Sequence, residues 1–283
     1  MKEQQMDKFL KLENECLKIK IDTLFGGKIV EILDKKNNVN WVWFDEKKYL
    51  KFKPNQFSDY DSQWIGGFEE LFPNDKIETL NSKQAPDHGE LWSSRWDINH
   101  ESEFSVDLSC KGYFSNSEVS KKINIQKNKI FVTYNISKID LDYFLFKLHL
   151  ALPVNNHTVS FKFDHFQKVE ESFGNIVLND QLNDFLSPIN PNQDKNDFVY
   201  FYGVDGKVKV TNENNNKFIL EYDVTTLPYI WIFQSRGGWN NFNVNVIEPC
   251  NSGIKDLKEA SDKNMIYLPN STDYKTWYTI EVS

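Results

Sequence analysis

Apolar and polar residues alternate along most of this 283-residue chain with the two-residue period of strands that bury one face. The pattern predicts strands over 10–13 and 16–22 around a turn at Asn14, then over 28–33 after the Gly26-Gly27 break, and a short one over 41–44. Further strands are predicted over 103–113, 119–126, 129–137 and 143–153, with another over 158–163. The last group covers 198–202, 207–210, 217–222, 229–233, a strand ending near Glu248, and 276–282. Ser252 is placed to cap one short helix running to about Ser261. The expected fold is therefore all-β, with large antiparallel sheets, one short helix and a single domain over 1–283.

The alternation also assigns faces. In 143–153, Phe144, Phe146, Leu148, Leu150 and Leu152 make the core face. His149 falls on the opposite face with Tyr143, Lys147 and Ala151, toward solvent or a cleft, where its pKa would stay near neutral. Phe242, Val244, Val246 and Glu248 share one face of a late strand, so a carboxylate continues an apolar row. Pro249 would end the ladder there, because it has no N–H to donate. A carboxylate in such dry surroundings holds its proton more tightly than a free one, as a general base working near neutral pH requires. An ion pair between Glu248 and a nearby lysine or arginine is the structural alternative.

Between residues 46 and 86 the period is lost. This long stretch contains Trp64-Ile65-Gly66-Gly67-Phe68-Glu69-Glu70-Leu71 and reads as a loop in which backbone and a flat ring approach a ligand. His88-Gly89 stands at its exit, ahead of an expected strand bearing Trp92, Arg95 and Trp96.

Composition narrows the partners. A net charge of −8 argues against nucleic acid and anionic membrane, both of which need a basic footprint. The polar start, Met1 to Lys8, and the lack of a long apolar run leave no signal peptide or membrane span, and cytoplasmic location is expected. Cys16, Cys110 and Cys250 form neither a metal spacing nor a disulfide framework, and no nucleotide motif is present, so neither metal nor other cofactor is expected. Of 33 basic residues only Arg95 and Arg236 are arginines. Their rigid donor forks suit either a substrate or a carboxylate bridge.

Several segments, in order, resemble the aldose 1-epimerase (galactose mutarotase-like) superfamily. They are Gly26-Gly27-Lys28-Ile29-Val30-Glu31-Ile32, the Gly66-Gly67 loop, Asp87-His88-Gly89-Glu90-Leu91-Trp92, the strand of His149, Val246-Ile247-Glu248-Pro249-Cys250-Asn251-Ser252-Gly253, and Trp277-Tyr278-Thr279-Ile280. The resemblance implies a β-supersandwich with a monosaccharide pocket on one face and no cofactor. It implies Glu248 as catalytic base and His149 as acid on opposite sides of the sugar. His88 is the implied sugar-binding histidine and Asp197 the implied substrate aspartate. Trp64, Trp92, Trp96 and Trp239 are available to stack on the sugar, and Arg95, Arg236 and His88 to bind its hydroxyls. The implied activity is interconversion of sugar anomers. The other functions open to this fold are sugar binding without turnover, or glycoside cleavage by Glu248 with a second carboxylate such as Glu70 or Asp87.

Overall fold

The computed structural model describes residues 9–51, 53–168, 185–186 and 189–283; the polar start of the chain and part of the irregular stretch after 168 lie outside them. The alternating segments form strands close to where the period places them: β1 (Leu10–Glu13), β2 (Leu17–Asp22), β3 (Lys28–Asp34) and β4 (Val39–Asn40). A one-turn helix α1 (Glu46–Tyr49) and a second, α2 (Tyr60–Gln63), follow, then β5 (Phe68–Leu71) and the small hairpin β6 (Thr79–Leu80) and β7 (Lys83–Gln84). Next come β8 (Asp97–Glu101), β9 (Ser105–Lys111), β10 (Glu118–Gln126), β11 (Lys129–Ser137), β12 (Lys147–Pro153), β13 (Thr158–Ser160) and β14 (His165–Lys168). The chain continues with β15 (Asn196–Tyr202), β16 (Lys207–Thr211), β17 (Lys217–Tyr222), β18 (Tyr229–Arg236), β19 (Asn243–Cys250), helix α3 (Leu257–Asp262) and β20 (Tyr274–Val282).

These strands make two large antiparallel sheets. One has the order β1-β2-β3-β5-β12-β19-β18-β15-β14, with β4 beside β3; the other runs β13-β16-β17-β20-β11-β10-β9-β8. Between them lies the main core, to which Ile19, Phe68, Leu148, Leu150 and Ile247 contribute from the first sheet and Val106, Ile123, Val132, Leu220 and Ile280 from the second. The predicted core face of β12 is thus inward. At roughly 25 cal/mol per Å² of apolar area removed from water, this interior is the main term holding the sheets together.

Four local expectations need correction. Residues 41–44 make only an isolated bridge, Phe44 to Gly66, because Trp43 and Phe44 pack on loop residues instead of extending a ladder. The Trp92–Trp96 region is turns; the strand starts at Asp97. Pro249 does not end β19, which runs on to Cys250, since its missing N–H removes one bond without breaking the register with Ile230. The last helix is capped by Asp256, whose carboxylate accepts from Glu259 N at 2.9 Å, and Ser252 lies in a bridge before it. The one-turn helices α1 and α2 add to the single helix expected.

The larger correction concerns residues 46–86. This segment holds β5, a central strand inserted between β3 and β12. All four of its residues are buried, so no alternation marks it.

Candidate active site

The outer face of the first sheet carries a cross-strand row of polar and aromatic side chains. His149 on β12 is paired with Glu69 on β5. The β12–β19 ladder joins Lys147 to Cys250 and Leu150 to Ile247, which sets His149 opposite Glu248. Glu248 is in turn paired with Trp231, and Trp231 with Tyr200. Because side chains alternate along every strand, this register puts Glu69, His149, Glu248, Trp231 and Tyr200 on one face. The next row toward the β12 C-terminus contains Ala151 and Val246, so the polar groups are bounded by apolar floor.

Loops from the 46–96 region cover this face. Asp59 caps α2 by accepting from Ser62 N at 2.7 Å, which starts the turn that carries Tyr60. Tyr60 N donates to Asp87 at 2.8 Å, and the His88 ring stacks on Tyr60 with centroids 4.1 Å apart. His88 has φ +55°, and Gly89 follows at φ +76° with its Cα against the Phe72 backbone, where a β-carbon would collide. Gly89 therefore lets the chain turn His88 over the sheet.

The result is a cleft of about 160 Å³ lined by Tyr60, Asp61, Trp64, Asp75, His88, Lys147, His149, Phe198, Phe233, Trp239, Glu248 and Lys255. Its volume is below the roughly 300–1,000 Å³ of drug-sized ligand sites, which favours one small ring over an oligomer. Trp64, edge-on to His149 at 5.6 Å, and Trp239, 5.4 Å from Trp64, supply aromatic walls.

His149 and Glu248 share this cleft, with His149 Nε2 3.7 Å from Glu248 Oε1. They stand side by side on the floor, on neighbouring strands, and not on opposite sides as expected. Glu248 also makes the ion pair foreseen as its structural alternative, to Lys147 Nζ at 2.6 Å. Burial raises the Glu248 carboxyl to about 7, although Lys147 pulls it back down. The expectation of a near-neutral His149 is overturned. Burial, with the Lys147 ammonium adding positive charge, holds His149 well below the ordinary imidazole value, against the pull of Asp75. Of the two surroundings expected for this face, solvent or a cleft, it meets a cleft: loops roof it and leave His149 only 7% exposed.

The neutral ring has an assigned orientation. Tyr60 OH donates to Glu69 Oε1 at 2.6 Å, and the same carboxylate accepts from Trp64 Nε1 at 3.2 Å and Lys28 Nζ at 2.5 Å. With its proton committed to Glu69, Tyr60 offers an acceptor to His149 Nδ1, 3.4 Å away. That places the hydrogen on Nδ1 and leaves Nε2 bare toward Glu248 and the cleft.

Of the remaining sequence candidates, His88, Trp64 and Trp239 line the cleft. Arg95 is exposed and outside it. Arg236 and Asp197 are buried together, Nη2 to Oδ2 at 3.1 Å, with Nη1 held by Gln193 at 2.8 Å. Their carboxylate bridge lies outside the lining, because Asp197 and Phe198 point to opposite faces of β15 and only Phe198 reaches the cleft. Trp92 and Trp96 are buried and unavailable for stacking on a ligand. Glu70 points into the core, where Lys121 and Tyr134 bind it, and Asp87 is spent on His88 and Tyr60. Neither lines the cleft with Glu248; the other carboxylates that do are Asp61 and Asp75. Sequence reasoning missed Tyr60, Glu69, Asp75 and Lys147. For Glu69 and Asp75 the Trp64–Asp75 stretch was the available signal, but its lack of period hid which residues face the cleft; for Lys147 the signal was the alternation that puts it on the face of His149.

No family model matches the chain, and no curated protein matches it significantly. Solved structures do. A candidate aldose 1-epimerase from Escherichia coli K12 superposes with a TM-score of 0.70 at 14% identity, covering 97% of this chain and 98% of its own. A galactose mutarotase-like protein from Lactobacillus casei ATCC 334 gives 0.66 at 16% identity, covering 97% and 100%. Another from Clostridium acetobutylicum gives 0.67 at 14%, covering 96% and 94%. At these identities the likeness speaks to architecture, and the chain has the galactose mutarotase-like β-supersandwich fold.

Proposed function

We propose that this protein is an aldose 1-epimerase that interconverts the anomers of a monosaccharide at the His149–Glu248 couple. The observation that carries the proposal is the 3.7 Å spacing of His149 Nε2 and Glu248 Oε1 on the floor of a single-ring cleft. In a cyclic hemiacetal the anomeric and ring oxygens hang on one carbon, so the groups that serve them must be neighbours. This couple meets that condition.

The couple works with one mobile proton. Below about pH 7 that proton resides on Glu248 and not on His149, because the carboxyl is raised to about 7 and the imidazole is depressed. Glu248 then gives its proton to the ring oxygen as the C1–O5 bond breaks, while His149 Nε2 takes the proton from O1 and the C=O bond forms. The open aldehyde turns about C1–C2. Reclosure on the other face returns a proton from His149 to O1 and one from the O5 hydroxyl to Glu248. This order reverses the roles implied by the resemblance for opening and restores them for closing. Each group contributes about 10²–10⁴ in rate.

Trp239 offers a face for the C–H side of the ring, with the buried Trp64 behind it, and His88 and Asp61 offer polar contacts for hydroxyls. No arginine lines the cleft, and both lining lysines pair with Asp75, which favours a neutral sugar over an anionic one.

The test is NMR magnetisation exchange between anomers over a panel of free and phosphorylated aldoses. The expected result is catalysed exchange with an unphosphorylated aldose, falling as pH rises through about 7 when Glu248 loses its proton. Binding without exchange, for every sugar that binds, rejects the enzymatic reading and leaves a carbohydrate-binding domain.

A further inference from the structure

Lys147 is the one group in the cleft that touches the catalytic carboxylate directly from the same strand as His149. Two residues before His149 on β12, it shares that side chain's face. It is 2% exposed, with Nζ 2.6 Å from Asp75 Oδ1 and 2.6 Å from Glu248 Oε2. The ammonium also stands 4.6 Å from the centre of the Trp231 ring, the cross-strand neighbour of Glu248. Asp75, equally buried, receives Lys255 on its other oxygen at 3.3 Å and lies 3.9 Å from His88 Nε2.

We propose that Lys147, clamped by Asp75, is the positioning residue of this site: it commits one oxygen of Glu248 and turns the other toward His149 and the sugar. The role of Glu248 in that statement rests on the epimerase reading above. A carboxylate has two equivalent oxygens, and a short strand-borne glutamate can rotate to present either. With Oε2 held by a buried cation, only Oε1 is left to exchange a proton.

The same clamp sets the electrostatics. Lys147 is shared between two carboxylates, so it compensates neither completely. The groups facing Glu248 are Lys147 and His149 from β12, Trp231 from β18, Tyr60 and Asp61 from α2, Asp75 and His88 from the covering loops, and Lys255 from the segment before α3. Removing the Lys147 charge leaves Glu248 beside the Asp75 carboxylate and makes it hold its proton more tightly. Removing the Asp75 charge gives Lys147 wholly to Glu248 and makes it release the proton more easily. A residue that merely filled space would move both midpoints the same way or not at all.

The experiment is a ¹³C NMR titration of protein labelled at the glutamate side-chain carboxyls, without sugar, with the Glu248 resonance identified by its loss in Glu248→Gln. Lys147→Met is expected to raise the Glu248 midpoint by at least one pH unit, Asp75→Asn to lower it by at least one, and Lys147→Arg to leave it within half a unit. Shifts of the same sign in the first two, or none in either, overturn the proposal. Should Lys147→Met fail to fold, Asp75→Asn decides alone: a midpoint unchanged or raised overturns it. Because no turnover is needed, opposite shifts in a protein inactive on every aldose keep Lys147 as the positioning residue and reject only the epimerase reading. Turnover with unmoved midpoints does the reverse.

Discussion

Glu69 and Glu70 are consecutive, equally buried and both paired with lysine, yet they belong to different parts of the molecule. Strand alternation sends Glu70 inward, where it joins Lys121 of β10 and Tyr134 of β11 across the space between the sheets, and Lys121 also donates to Gly27 O at 3.0 Å. Glu69 points outward and holds Lys28, Tyr60 and Trp64 around His149. The inner network lies between the sheets and pins one to the other through Glu70 Oε1, while Glu70 Oε2 has no hydrogen-bond partner among the described residues. The outer network is open on one side, so its last members, His149 and Glu248, face a cavity. Burial and ion pairing alone therefore do not mark chemistry. A titratable group left facing a cleft does.

The strongest way to break this contrast is to disable one network and look for the other's symptom. Glu248→Gln is expected to lower anomer exchange by at least about 10²-fold while leaving the urea midpoint at pH 4 near that of the parent. Exchange by NMR and a urea titration check both halves, and a collapse of stability without a change in rate per folded molecule would assign Glu248 to the scaffold. On the other side, Lys121→Met strands the Glu70 carboxylate in the core. It is expected to cost about 3–5 kcal/mol of stability with unchanged exchange per folded molecule, again read by urea unfolding and NMR.

The pH dependence of stability sharpens the same distinction. Glu248 has its folded-state pKa raised from 4.5 to about 7, so its contribution is fully present below 4.5 and is lost as pH rises through about 7. Relative to the parent, Glu248→Gln should therefore gain stability over that window. The gain is up to about 3 kcal/mol on top of any pH-independent offset, at 1.36 kcal/mol per pKa unit. Urea midpoints at pH 4 and pH 8 measure it, and a difference that does not change with pH removes the buried-acid description. The smallest effect is expected at Arg95, which is exposed and away from the cleft. Arg95→Ala should change neither KM nor kcat by more than about twofold and stability by no more than about 0.5 kcal/mol. A large rise in KM would draw this arginine back into substrate binding.

Much of the architecture was legible in the pattern of residues. Alternation located most strands to within a few positions and gave the correct faces of β12 and β19, because a strand with one face in a core must repeat every two residues. Alternation put His149 off the core face and Glu248 at the end of an apolar row, and the structure brings them to one cleft; the pairing of their roles comes from the resemblance alone. The helix cap differs because the helix begins at Leu257, so Asp256 holds the capping position while Ser252 bonds locally to Ile254.

By itself the sequence determined an all-β chain and which side chains each strand shows to each face, since local sterics and two-residue alternation act over a few bonds. Only the tertiary structure decided that strands at 68–71, 147–153 and 243–250 lie side by side, that β5 exists in a segment without period, and that loops roof the outer face. Those decisions set the ionisation of the site. They made His149 a buried neutral base in place of a near-neutral one, and they placed Lys147 between Asp75 and Glu248. Proton affinity depends on dielectric and on charges brought close from distant parts of the chain, and neither quantity exists before the strands have met.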